Sequence, residues 1–225
     1  LPYISRSEVL SPKMKLLPIV VLAQKAFQYV IQTCSTYQID ESHALKHSME
    51  VFHMANKIYQ KEVVKFPYLQ AQQDIIFMSA ILHDMCDKKY MPEDEGVLKI
   101  QKYLSKNNMM EERDITMLGK IISTMSYSKV KEYGFPELGD YQLAYHIVRE
   151  ADLLAAYDID RCMIYSMYKE GLDYEGALKR TISIFDERIL KYRSDRLFIT
   201  AYSKNLSLRL HDRAVSELEV LRKLL

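Results

Sequence analysis

The sequence has no tryptophan and only six glycines, six prolines and three cysteines in 225 residues. So few glycines and prolines leave few breaks, and between them apolar residues recur at helical rather than alternating spacing, which predicts an all-α fold and excludes a sheet-built core. Cys34, Cys86 and Cys162 are odd in number and form no C-x-x-C pair, which argues against a disulfide framework and for a reducing compartment, the cytoplasm or nucleus. Neither sign of charge is in excess, with 31 Lys and Arg against 30 Asp and Glu. Nothing in that balance suits a protein that tracks a nucleic-acid backbone, and an anionic ligand must be recognised locally.

Long apolar runs are missing too. The stretch from Lys13 to Ile31 imitates a targeting signal, with Lys13 and Lys15 ahead of Leu16-Leu17-Pro18-Ile19-Val20-Val21-Leu22-Ala23. It then meets Gln24, Lys25 and Gln28 and falls short of the roughly 18 apolar residues of a spanning helix, so it reads as an amphipathic core helix from about Pro18, with no membrane partner. The sequence begins at Leu1 rather than Met, which leaves a preceding segment and any address on it open.

What is present is an ordinary globular balance, 48% hydrophobic and 27% charged, enough for one domain with a substantial core. Helical periodicity places helices at about 18–34, 42–61, 68–86, 95–106, 112–125, 138–157, 159–170, 174–192 and 196–223. Ser42 can cap the second, Pro67 can open the third, and Pro92 before Glu93-Asp94-Glu95 brings negative charge to the N-terminus of the fourth. Tyr133-Gly134-Phe135-Pro136 is the clearest interruption. The 17 tyrosines and 12 methionines read mainly as packing.

Several polar residues then stand where helix faces call for apolar ones. His47 shares a stripe with Val51, Met54, Ala55 and Ile58; His83 follows Ile76, Ser79 and Ala80; Asp84 follows Phe77, Ala80 and Ile81; Asp152 sits within Ala151-Asp152-Leu153-Leu154-Ala155-Ala156. Taken singly, His47 is as well a hydrogen-bonded core histidine, Asp152 a partner of Arg149 or Lys179, and His83-Asp84 a chance dipeptide like His211-Asp212. Taken together, two inward carboxylates and two inward imidazoles need compensation, because a buried unpaired charge costs several kcal/mol. One divalent cation supplies it, and the mixed nitrogen and oxygen donors suit manganese, iron, cobalt, nickel or zinc better than magnesium.

The order His47…His83-Asp84…Asp152 resembles the H…HD…D pattern of the HD superfamily of metal-dependent phosphohydrolases. Ser42 to Val51 is similar to the family's first-histidine helix, and Glu150-Ala151-Asp152-Leu153-Leu154-Ala155 to its E-A-D-x-L-x-A segment. Ile121-Ile122 leading to Ser126-Tyr127-Ser128, and Phe185-Asp186-Glu187-Arg188-Ile189-Leu190, look like the branch of small HD proteins of which some cleave nucleoside triphosphates to monophosphate and pyrophosphate. The likeness covers roughly residues 40 to 215. It implies a single-domain HD-type helical bundle with the metal in its core, the motif region at about 40–160 and C-terminal helices 174–223 packing on it.

The resemblance further implies hydrolysis of a nucleotide or similar small phosphate ester or anhydride by metal-activated water, with His47, His83, Asp84 and Asp152 as ligands. Asp87 matches by position the proton-transferring acid of HD nucleotidases, or pairs with Lys88 or Lys89. Lys88 and Lys89 are the nearest cations for substrate phosphates, with Arg149 and Lys129 behind them, and His43 binds substrate or water or serves as a plain hydrogen-bonding partner. Between the HD pair and Asp152 lies only His146, which favours one metal over two and argues against an oxygenase-like two-iron site. There is no GYP motif of the cyclic-dinucleotide phosphodiesterases. The alternative is a metal-stabilised binding or regulatory module without turnover.

Overall fold

Ten α-helices run through the described residues, 18–40 and 42–225 of this computed structural model, with no strand among them. They are α1 (Ile19–Tyr37), α2 (Leu45–Glu62), α3 (Gln73–Leu82), α4 (Glu93–Lys106), α5 (Glu112–Thr124), α6 (Tyr127–Tyr133), α7 (Gln142–Ala155), α8 (Ile159–Tyr168), α9 (Tyr174–Glu187) and α10 (Ala201–Leu221). The all-α expectation holds. Pro18 stands at the N-cap of α1, while Lys13, Lys15, Leu16 and Leu17 lie outside the described residues. No helix among the described residues is long and apolar enough to cross a membrane.

The centre is α3, whose residues Ile75 to Leu82 are all buried. A helix apolar on every side is stable only inside other elements, and α1, α2, α5 and α7 pack around this one. Against that layer lie the α4–α5 pair on one side and α10 on α7 and α2, while α8 and α9 pack on each other.

Local chemistry explains where the helices depart from the periodicity. The expected 68–86 helix is three pieces: a 3-10 turn opened by Pro67, α3, and a 3-10 turn His83–Cys86. Ser42 does not cap α2, whose N-cap is Ala44; its hydroxyl turns instead to Asp40 and His43. The short α6 was not anticipated; Ser126 caps it by accepting from the Lys129 amide at 3.4 Å, and Gly134 ends it at φ 77°, a backbone state that glycine adopts freely. The last helix starts at Ala201 rather than 196, because Thr200 caps it and accepts from the Ser203 amide.

Gly96 lets α4 rest on the turn that carries the His83-Asp84 pair. A Cβ there would lie 2.7 Å from both Cα and Cβ of Cys86. Alanine in place of a mid-helix glycine gains at most about 1 kcal/mol of propensity, whereas overpacking against backbone costs about 1–3 kcal/mol. Gly96→Ala should therefore lower the urea midpoint, and a midpoint at or above that of the parent would refute this packing.

Candidate metal centre

His47 lies in the first turn of α2, His83 at the C-cap of α3 with Asp84 after it, and Asp152 near the C-terminal end of α7. Because α2, α3 and α7 pack on one another, the four side chains meet. The Nε2 atoms of His47 and His83 are 3.2 Å apart. His47 Nε2 is 3.4 Å from Asp84 Oδ2 and 3.3 Å from Asp152 Oδ1, and His83 Nε2 is 3.3 Å from Asp84 Oδ1 and 3.7 Å from Asp152 Oδ1. Donor atoms of His47, His83 and Asp84 form the tightest group, all within 4.8 Å of one another; Asp152 joins through the two imidazoles.

This geometry suits a cation. With metal–ligand bonds of about 2.1 Å, neighbouring donors stand about 3.0–3.4 Å apart, the spacing found between most of these atoms. His83 Nδ1–H donates to the Ala80 carbonyl at 2.9 Å, which turns Nε2 toward the group, where a cation would take the place of its proton, the usual support for a ligating imidazole. The aspartates are less enclosed than the sequence suggested: their side chains are 13% and 21% exposed because both open onto a cavity.

Charge within the group is strongly coupled. Burial lowers both imidazoles, but Asp84 and Asp152 outweigh it on His83, whose pKa rises to about 10. On His47 burial and the neighbouring Arg161 prevail, and it falls to about 4. Burial opposes ionisation of Asp84 and Asp152, yet the histidines beside them hold both carboxyls well below the usual range. The two carboxylates thus draw positive charge to the point where the imidazoles meet.

Arg161 of α8 was not anticipated. Its Nε–H donates to the Ser42 carbonyl at 2.5 Å, and its Nη2 and Nη1 stand 3.5 Å from Asp84 and 3.8 Å from Asp152. The sequence does carry a cue: a cation in the first turn of a helix is locally unfavourable and calls for a tertiary reason. Arg188, which lies over the Tyr127 ring at 4.7 Å and donates to Tyr192 Oη at 3.1 Å, was likewise passed over as a site residue.

The cavity beside the group measures about 460 Å³. Asp87, Lys88, Lys89 and His43 all line it, together with Arg161 and Arg188. Lys88 is exposed. Asp87 accepts from the Lys89 amide at 2.9 Å and lies 3.5 Å from its ammonium, so the lysine partnership and an opening onto the cavity coexist. His43 is buried, and burial pushes it down to about 3, which keeps it neutral. Lys129 also reaches the cavity but is held by Glu93 at 2.5 Å and the Ser123 carbonyl at 2.6 Å.

Arg149 must be removed from the substrate-binding set. Its side chain is buried on another face of α7, donates to the Leu197 carbonyl, stacks on Phe135 and does not line the cavity. Nor does it pair with Asp152, and Lys179 pairs with Glu175 instead. His146 contacts Gln142 and Arg149, away from the four-residue group.

No protein-family model and no curated protein matches the chain. Solved structures do. A protein from Lactobacillus plantarum is 20% identical over 90% of this chain and 96% of its own, with a TM-score of 0.67. YpgQ of Bacillus subtilis is 18% identical over 92% and 97%, with a TM-score of 0.68, and has also been solved in complex with ADP, at 19% identity over 89% and 96% and a TM-score of 0.65. At these identities the likeness shows a shared fold over nearly the whole length.

Proposed function

We propose that this chain is a metal-dependent phosphohydrolase acting on a nucleotide or a similar small phosphate ester or anhydride. The observation that carries the proposal is the convergence of His47, His83, Asp84 and Asp152 at ligand spacing on the wall of a cavity that also holds Lys88, Lys89 and Arg161. The resemblance of H…HD…D to the HD superfamily supports the reaction class, and the ADP in the YpgQ complex supports a nucleotide as the ligand class.

In this reading the four side chains would hold one manganese, iron, cobalt, nickel or zinc ion, which would supply Lewis-acid polarisation of a phosphoryl group and a more acidic bound water. Arg161 keeps the Asp84 and Asp152 carboxylates turned toward the imidazoles. Lys88 and Lys89 receive phosphate oxygens by charge-assisted hydrogen bonds, and a carboxylate oxygen of Asp87 moves the proton between water and leaving group.

The test is phosphate and pyrophosphate release from a nucleotide panel. Metal-stripped protein is resupplied with manganese, cobalt, nickel, zinc or magnesium, beside Asp84→Ala. Turnover restored by a transition metal and absent from the variant is the expected result. Silence across the panel with metal bound would replace the enzyme by a metal-stabilised binding module.

A further inference from the structure

Beside the metal group runs a chain of hydrogen bonds that hydrolysis as described above does not use. Asp40 accepts from the Ser42 amide at 2.9 Å, from the Ser42 hydroxyl and from Tyr90 Oη–H at 2.6 Å. Ser42 Oγ is 2.6 Å from His43 Nδ1, and His43 Nε2 is 2.9 Å from Lys89 Nζ. Ser42 and His43 are both buried.

Counting protons orients the whole chain. An ammonium has three donors and no acceptor, so His43 Nε2 must accept from Lys89. In a neutral imidazole the other nitrogen then carries the proton, and Nδ1–H donates to Ser42 Oγ. A serine hydroxyl has one proton, which is already committed to the Asp40 carboxylate. The direction is the same read from either end, from a residue that only accepts to one that only donates.

Lys89 is thereby seated on three sides. His43 holds one ammonium proton, Asp87 lies 3.5 Å away, and the Tyr165 ring is 4.8 Å from the nitrogen. The cavity, which Lys89 lines, is the side left for an anion.

We propose that Asp40, Ser42 and Tyr90 act as positioning residues that fix His43 in its Nδ1–H tautomer, so that Nε2 seats the Lys89 ammonium where it takes a phosphate oxygen of the ligand. The phosphate clause rests on the function proposed above; the tautomer does not. Asp40→Ala removes the carboxylate oxygen that holds the Ser42 proton, so the hydroxyl is free to donate to His43 Nδ1, and the Nδ1–H tautomer is no longer fixed.

The experiment is ¹⁵N-histidine NMR of the zinc-supplied chain, with His43 assigned by its loss in His43→Gln, alongside calorimetric titration of ADP. The parent chain and Ser42→Thr, which keeps the hydroxyl, should show a protonated Nδ1. Asp40→Ala should show Nε2 protonated in part of the population and bind ADP more weakly than the parent, and Lys89→Ala should bind it about tenfold more weakly, a change of about 1.4 kcal/mol. A protonated Nε2 in the parent chain overturns the relay, and that measurement needs no variant beyond the His43→Gln chain that assigns the signal. ADP binding that is absent from the parent, or unmoved in both variants, overturns the phosphate anchor. ADP binding that responds as expected while no nucleotide is hydrolysed supports the anchor and counts against the hydrolase alone.

Discussion

Alanine at Asp84 should abolish the stabilisation that a transition metal confers on the folded chain. The four proposed ligand side chains come from α2, the turn after α3 and α7 and meet only in the folded state, so a metal held by them would bind the native chain and not the unfolded one. At a concentration 100 times its dissociation constant, such a ligand adds about 2.7 kcal/mol of stability. For a chain of this size that is roughly 5–10 °C in Tm. Removing a residue that merely orients a ligand costs about 10–100-fold in metal affinity, and loss of a ligand itself should cost more, which is enough to erase the shift. Thermal scans of metal-stripped protein with and without zinc or manganese measure it. Asp152→Ala should behave like Asp84→Ala, and His146→Gln should keep the shift, since His146 contacts Gln142 and Arg149 rather than the metal group. A parent chain whose Tm ignores every metal would sink the ligand assignment.

The other large effect lies two residues from Asp152 and has nothing to do with metal. Glu150 is fully buried and accepts from the Ile199 amide at 2.5 Å, from the Thr200 amide at 3.2 Å and from the Thr200 hydroxyl at 2.6 Å. Arg149 stands 3.5 Å from the same carboxylate and donates to the Leu197 carbonyl. Together they fasten the segment that leads into α10. Glu150→Ala leaves three donors and a buried guanidinium without their acceptor, and breaking one side of such an arrangement costs about 3–5 kcal/mol. Glu150→Gln keeps one carbonyl but sets an NH2 against donors, so it should lose less and still lose measurably. The readout is the urea midpoint at constant m-value, and a loss under about 1 kcal/mol for alanine would remove Glu150 from this role. In the segment resembling E-A-D, the glutamate therefore fastens and the aspartate faces the cavity.

Much of the site was legible because it is written in helical period. His47, His83, Asp84 and Asp152 each break an apolar stripe at a spacing that repeats every three or four residues, and such a stripe points at the core whatever the partners are. Asp87, Lys88 and Lys89 followed in sequence from the His83-Asp84 turn, so chain connectivity alone carried them to the same cavity. Arg161 was not legible in that way, since its partners Ser42, Asp84 and Asp152 are remote in sequence and join it only when α8 docks. The relay from Asp40 to Lys89 was hidden for the same reason, and Ser42, which satisfies every local rule for a helix cap, gives its hydroxyl to that relay instead.

What the sequence determined by itself is what local periodicity and covalent order can carry: an all-helical chain, the helices that bear the four expected ligands, and the inward turn of those four side chains. Only the tertiary structure decided which neighbouring polar residues belong with them. Arg149 and Asp152 are three residues apart on α7 and differ by about 60° in direction at 3.6 residues per turn. Phe135 and Leu197 receive one of them, and the cavity with Arg161 receives the other. An angle that small is settled by what packs against the helix, and packing partners distant in sequence leave no mark on the periodicity of the helix they choose.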